Sequence, residues 1–256
     1  MQHVNCRSLI ILFIFLSVQL TAQSYPDWFL HPQQFGDNCI VGYSIHGNDP
    51  VIDAERSLTA YTECIVTGQL EFYTEYDKDV YYRNSEYFYN FSPEALQKNE
   101  GRLVPHDAFL THVFSNDIVV LFSTDSLFDY PVHWLNPDTM DAPEWTVRTF
   151  WEEDEYYYGV GTFTSRANPN DAWRTAEERA IFQILTSKVI TVHNIRIMDT
   201  NDYGNDQMDE VSVLKLRFRL RNIDILRRWP DKKNRQFMVL VRIPQKDLFS
   251  PDLKNN

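Results

Sequence analysis

The chain has 256 residues, with 24 Lys and Arg against 36 Asp and Glu, giving a formal net charge of −12 at pH 7. That balance argues against nucleic acid or another polyanion as a partner. With 43% apolar residues and 14% aromatics, the body can fill one large core or two small ones.

Met1 to Arg7 carries one basic side chain and no acid, Leu9 to Leu20 is a short apolar run, and Thr21-Ala22-Gln23-Ser24 ends it. This layout predicts a cleavable signal peptide over residues 1–22, with cut sites after Ala22 or Ser24. The alternative is an uncleaved anchor. A spanning helix needs about 20 apolar residues, and this run is shorter and broken by Ser17 and Gln19. Cys6 precedes the run and no cysteine follows its exit, so a lipid-accepting cysteine is missing. Losing the leader removes Arg7 and no acid, so 24 basic and 36 acidic residues become 23 and 36, and the net charge −13. No other long apolar stretch predicts a transmembrane helix in the mature chain.

Five short matches recur in the same order. Pro26-Asp27-Trp28 returns as Pro143-Glu144-Trp145 (offset 117), and Val41-Gly42-Tyr43-Ser44 as Val160-Gly161-Thr162-Phe163 (119). Asp49-Pro50 returns as Asn168-Pro169 (119), Asp53-Ala54 as Asp171-Ala172 (118), and Leu127-Phe128 as Leu248-Phe249 (121). The chain is therefore expected to hold two diverged copies of one module, over 25–130 and 142–256.

In each copy a short strand comes first, Asn38 to Ser44 and Tyr156 to Phe163. A helix follows, capped by Asp49 or Asn168 with proline in its first position. Val51, Ala54, Leu58, Tyr61 and Ile65 set the helical stripe of the first copy, and Ala172, Ala176, Ala180 and Ile184 that of the second. The alanines permit close approach to a sheet. In the second copy, strands are expected over Val189 to Met198, over the alternating run Leu214 to Arg221, and over Phe237 to Ile243, the last introduced by a turn at Trp229-Pro230-Asp231-Lys232-Lys233-Asn234. The fold class is α+β: two tandem β-α-β-β-β modules, each an antiparallel-rich sheet with one helix on a face.

These residues resemble a family. Pro-acidic-Trp, a strand with glycine, a capped helix opening Asp-Ala, and Trp-Pro-Asp leading into Phe237-Met-Val-Leu-Val-Arg-Ile-Pro244 are similar to the small bacterial envelope lipoproteins typified by the Helicobacter twenty-kilodalton lipoprotein. The resemblance covers nearly all of 142–256 and, more faintly, 25–130. It implies an envelope protein without known catalytic residues, in the periplasm or at the outer-membrane periphery of a Gram-negative bacterium, or secreted. Its implied partners are envelope proteins or cell-wall components. The missing lipid-accepting cysteine departs from the family.

Four residue groups are candidates for chemistry. Asp199, Asn201 and Glu210 stand at positions 1, 3 and 12 of a calcium-loop pattern with Gly204 at position 6, although Tyr203 replaces the oxygen donor at position 5 and the flanks read as strands. The competing reading is a solvated acidic turn. Lys215, Arg217, Arg219 and Arg221 fall on one side of one strand and suit an anion such as a lipid head group or cell-wall polymer, or else pair with acids on neighbouring strands. Tyr81, Tyr82, Tyr87 and Tyr89 belong to a tyrosine-rich hairpin suited to sugar or protein contacts, or to ordinary cross-strand packing. Cys39, on an expected strand, and Cys64, on the helix expected after it, either bridge a loop of about 25 residues, contributing about 3 kcal/mol, or stay as buried thiols.

The chain has no Gly-x-Ser-x-Gly, His-Glu-x-x-His, Cys-x-x-Cys or phosphate-loop motif. The expected function is non-catalytic binding or assembly of envelope components, with no cofactor unless calcium. The alternative is an envelope hydrolase or carbohydrate-processing enzyme using acidic residues.

Overall fold

The computed structural model describes residues 24–35, 40–44, 49–56, 63–74, 80–83, 90–93, 103–112, 117–123, 130–164, 168–200 and 210–249. The first half runs β1 (Tyr25–Pro26), α1 (Asp27–Leu30), β2 (Ile40–Tyr43), α2 (Pro50–Arg56), β3 (Glu63–Thr74), β4 (Val80–Arg83), β5 (Asn90–Pro93), β6 (Val104–His112), β7 (Asp117–Ser123) and β8 (Trp134–Leu135). The second runs β9 (Phe150–Glu153), β10 (Tyr156–Phe163), α3 (Pro169–Thr200), β11 (Glu210–Arg221), β12 (Asp224–Asp231), β13 (Gln236–Pro244) and β14 (Leu248–Phe249). The sheets are β1-β8, β2-β7-β6, β12-β13-β10-β9 and β14-β11-β3-β4, the last with β5 also on β3. Every pairing is antiparallel, and the class is α+β.

The two halves repeat one local geometry. Gly42 pairs with Val120 and Gly161 with Val239, so both partners are displaced by 119. The neighbouring strands β6 and β12 carry a register shift between Pro105 and Asp107 and between Ile225 and Arg227, a displacement of 120. An irregularity in the same place on both sheets is a positional feature of the strand, because a bulge re-aims the side chains beyond it. Pro26 and Pro143 have nearly identical backbone angles (φ −63, ψ 146 and φ −62, ψ 146) and open α1 and a 3-10 turn at Glu144–Val147.

Helix α3 holds the halves together because it has two working faces. Ala176, Ala180 and Ile184 lie on β10: a Cβ added at Gly161 would fall 1.9 Å from the Ala176 carbonyl oxygen and 2.3 Å from the Ala180 nitrogen. Asn170, Trp173 and Glu177, at i, i+3 and i+7, face the first half. The Trp173 ring centroid is 5.2 Å from Phe29 and 6.1 Å from Tyr25. The main core consequently draws on both halves, uniting Tyr25, Phe29, Tyr43, Val119 and Leu121 with Trp173, Ile181, Val239 and Val241. Each half adds a satellite: Ala54, Val120 and Phe122 under α2, and Trp145, Val160, Leu226, Trp229, Met238 and Leu240 on the far side of the second sheet.

The sheets β2-β7-β6 and β12-β13-β10-β9 turn unlike faces to the shared core. In the first, the face away from α2 joins the shared core; in the second, it is the face that carries α3. Equivalent surfaces therefore do not meet each other.

Several expectations are corrected. Residues 189–198 are helical, since α3 runs unbroken to Thr200. In the first copy Cys64 and Ile65 lie on β3, not on the helix, which is described over Pro50–Arg56; of the stripe, Ala54 is buried, Val51 is 39% exposed, and Leu58 and Tyr61 lie outside the described residues. Trp229, Pro230 and Asp231 belong to β12, and the turn that follows occupies 232–235. The strands β3 and β11 pair with each other along twelve residues, where each was expected in a separate sheet. The expected caps are in place, with the Asp49 carboxylate accepting from the Ile52 N–H at 3.2 Å and the Asn168 side chain from the Asn170 N–H at 2.8 Å.

Candidate functional site

Strand β11 presents the basic row. Arg217, Arg219 and Arg221 are exposed, while Phe218 and Leu220 between them are buried. Alternate residues on one strand face stand about 7 Å apart, so the row spaces cationic groups at that interval. Across the pairing with β3, Lys215, Arg217 and Arg219 stand opposite Gln69, Thr67 and Ile65, and Arg221 stands opposite Glu63. The register therefore sets a carboxylate against one of the four. Tyr81 pairs with Tyr73, which pairs with Val211, placing Tyr81 on the same sheet face as the basic row; Tyr82, opposite Phe72, is on the other face. For Lys215, Tyr81 and Tyr82 only the backbone is described. Tyr87 and Tyr89 lie outside the described residues.

A second, half-buried row crosses the sheet β12-β13-β10-β9 on the face opposite α3. Trp151, Tyr158, Arg242 and Asp224 are directly opposite one another strand by strand. The Trp151 and Tyr158 rings stack at 4.9 Å and 2°, and the Arg148 guanidinium lies 5.2 Å from the Trp151 centroid. Arg242 lies 4.6 Å from the Tyr156 centroid and donates to Asp224 at 2.8 Å. Burial opposes the Arg242 charge, but Asp224 outweighs it and holds the guanidinium pKa above its ordinary value. This ladder escaped the sequence reading, although Tyr156 and Tyr158 at period two, with Trp151 a few residues before them, carried its signal.

Beneath these faces lies a buried polar clasp. Arg228 donates from Nε at 3.0 Å and Nη2 at 2.7 Å to Oε1 of Glu177, and from Nη1 at 2.8 Å to the Phe29 carbonyl. Its guanidinium also lies 4.6 Å from the Phe29 ring centroid. The Tyr43 hydroxyl donates to the same Glu177 oxygen. Burial pushes the Tyr43 pKa well up, so the phenol stays protonated and remains a donor. The clasp joins α1 and β2 of the first half to α3 and β12 of the second. Its sequence signal was an acid, Glu177, one helical turn after Trp173 on an otherwise apolar stripe.

A second polar knot ties the start of α3 to the first half. Asn170 Nδ2 donates to the Ser44 and Ile118 carbonyls at 2.7 and 2.9 Å, its Oδ1 is 2.6 Å from the Thr111 hydroxyl, and Asn168 Nδ2 donates to Asp117 at 2.9 Å. Beside the clasp, the Glu178 carboxyl is pushed up to about 7, chiefly by burial, with Arg174 opposing and Glu177 and Asp171 adding to the rise.

Most of the calcium pattern, residues 201–209, lies outside the described residues. Asp199 is in the last turn of α3, Glu210 begins β11, and Asn201 lies outside the described residues. The flank before the loop is thus a helix, where a strand was expected. Among the described residues no group of three His, Cys, Asp or Glu side chains could hold a metal ion. Cys64 is on β3 and Cys39 lies outside the described residues. Among the described residues no helix is long and apolar enough to cross a membrane. No family model, curated protein or solved structure matches the chain.

Proposed function

We propose that this chain is an exported, non-catalytic protein of the bacterial cell envelope that binds anionic envelope components, its two halves descending from one duplicated module. The observation that carries the binding reading is the row Arg217, Arg219 and Arg221, exposed on one face of β11 in a chain of net charge −12. A cationic strip on an acidic body is local, so it attracts anions at close range by forked hydrogen bonds more than by long-range steering. The matching bulges and caps, together with the resemblance of 142–256 to envelope lipoproteins, support the duplication and the location.

The test is retention of the purified chain on isolated cell envelopes at two salt concentrations. Retention that falls with salt and is lost in Arg217→Glu with Arg219→Glu supports the reading; equal retention of the variant contradicts it. One observation favours the hydrolase alternative: the Glu178 carboxyl, held near 7, can exchange a proton at neutral pH. Release of soluble cell-wall fragments, abolished in Glu178→Gln, would establish that alternative.

A further inference from the structure

The two halves differ at one matched hydrogen bond. In the first, the Trp28 indole Nε1 donates at 2.7 Å to Oδ2 of Asp107, the residue that follows the irregularity in β6. In the second, Trp145 stands where Trp28 does, behind the same proline and acid, and is 8% exposed. Its companion in the outer cluster, Trp229, corresponds to Phe109, whose ring lies 5.7 Å from Trp28. The residue corresponding to Asp107 follows the irregularity in β12 and precedes Trp229 by two, as Asp107 precedes Phe109; it is Arg227. A cation thus replaces the carboxylate, and the Trp145 Nε1 is buried with no acceptor. Burying an N–H unpaired is costly, so this orphan calls for an explanation. Arg227 stands opposite Leu240, a member of the cluster that holds Trp145, and is half-buried. Among the described residues no carboxylate pairs with it: the two acids of β12 are engaged elsewhere, Asp224 by Arg242 and Asp231 by Asn234. Its charge is felt at His31, whose pKa is lowered first by burial and next by Arg227.

The geometry points to a binding site at Trp145 and Arg227 for a carboxylate-bearing ligand, whose carboxylate takes the place that the Asp107 side chain holds on Trp28 in the first half. One carboxylate oxygen accepts from the indole N–H, and the guanidinium supplies the opposite charge and a planar fork of further donors that matches a carboxylate. The first half closes its site with its own acid; the second half leaves the matching site open to an acid from outside. Trp151 and Tyr158 pack against the same cluster, so the wall beside the site suits an apolar or aromatic body behind the carboxylate. The Trp145 Nε1 is covered in the free chain, so binding requires side-chain movement at the rim.

The test follows the indole N–H resonances of the nitrogen-15-labelled full mature chain during titration with benzoate, and with benzamide as its neutral counterpart. The Trp145 resonance, identified by its loss in Trp145→Phe, should shift saturably with benzoate and not with benzamide. Arg227→Ala should weaken benzoate binding by about tenfold or more. Arg227→Asp should rebuild the bond of the first half: the Trp145 resonance shifts without ligand and no longer responds to benzoate. The Trp28 resonance, already sealed by Asp107, should stay in place throughout and reports that the fold is intact. A parallel titration with acetyl-aspartate methylamide shows whether a peptide side chain serves as well as a small aromatic acid, and saturable binding of either supports the site. A Trp145 resonance indifferent to both carboxylates, equal shifts with benzamide, or benzoate affinity unchanged in Arg227→Ala would overturn the inference. None of these outcomes depends on envelope retention through β11.

Discussion

Arg228 on β12 brings two guanidinium nitrogens to one carboxylate oxygen of Glu177 on α3, at 2.7 and 3.0 Å, with both side chains almost wholly removed from water. Desolvating two ions offsets most of their attraction, so the pair specifies geometry more than it adds stability. Breaking it is another matter. Glu177→Gln leaves the guanidinium buried without its counter-charge and is expected to lower unfolding free energy by about 3–5 kcal/mol. Glu177→Leu with Arg228→Met should cost less than either single change. Urea unfolding of the three variants checks the order.

Gly161 fixes how closely α3 approaches β10. A methyl group there would overlap the Ala176 carbonyl and the Ala180 nitrogen, both backbone atoms that move only with the whole helix. Gly161→Ala is expected to lower stability by at least about 1–3 kcal/mol. Gly42→Ala meets the Ala54 carbonyl at 2.4 Å, under a helix outside the main core, and should cost less. Thermal unfolding of the pair decides.

Much of this packing was legible in the sequence. The glycine in the strand, the alanines at four-residue spacing and the Asx-Pro caps together predicted a helix lying close on a sheet, and that is what α3 and β10 form. Legibility failed where tertiary structure overrides local preference. Val189, Ile190, Thr191 and Val192 are β-branched and read as a strand, yet they continue α3, since a helix already begun adds each residue cheaply. The pairing of β3 with β11 joins strands far apart in sequence, and no local signal encodes it. Arg228 was passed over because no strand was expected over Asp224–Asp231; its burial depends on Glu177 and the Phe29 carbonyl, both distant in the chain.

Stability should depend on pH through Glu178. Its carboxyl titrates at about 7 when folded, against an ordinary value of 4.5, so between those values the folded chain binds more protons than the unfolded one. Stability must therefore fall as pH rises from 4.5 to about 7 and gain nothing from this group outside that window. Glu178→Gln is expected to remove that part of the slope and to stabilise the chain at pH 8 by about 1–2 kcal/mol, allowing for its partial exposure. Unfolding midpoints of both proteins from pH 4 to pH 8 measure it.

The caps of the two helices should differ in weight. Asn168 accepts from the Asn170 and Asp171 N–H groups and also donates to Asp117 across the halves, whereas Asp49 accepts one exposed bond at 3.2 Å. Asn168→Ala is expected to cost about 1–2 kcal/mol and Asp49→Ala about 0.5–1 kcal/mol. Chemical denaturation of both variants tests the difference.

The central claim is that Glu177, Arg228, Tyr43 and the core around Trp173 lock the two halves into one cooperative unit. Native-state hydrogen exchange on the intact chain tests it most directly, by comparing the slowest amides of β7 in the first half with those of β13 in the second. The account predicts the same opening free energy in both strands, and an equal fall in both when Glu177 is changed to Gln. Two distinct opening free energies, with only β13 responding to the substitution, would contradict it.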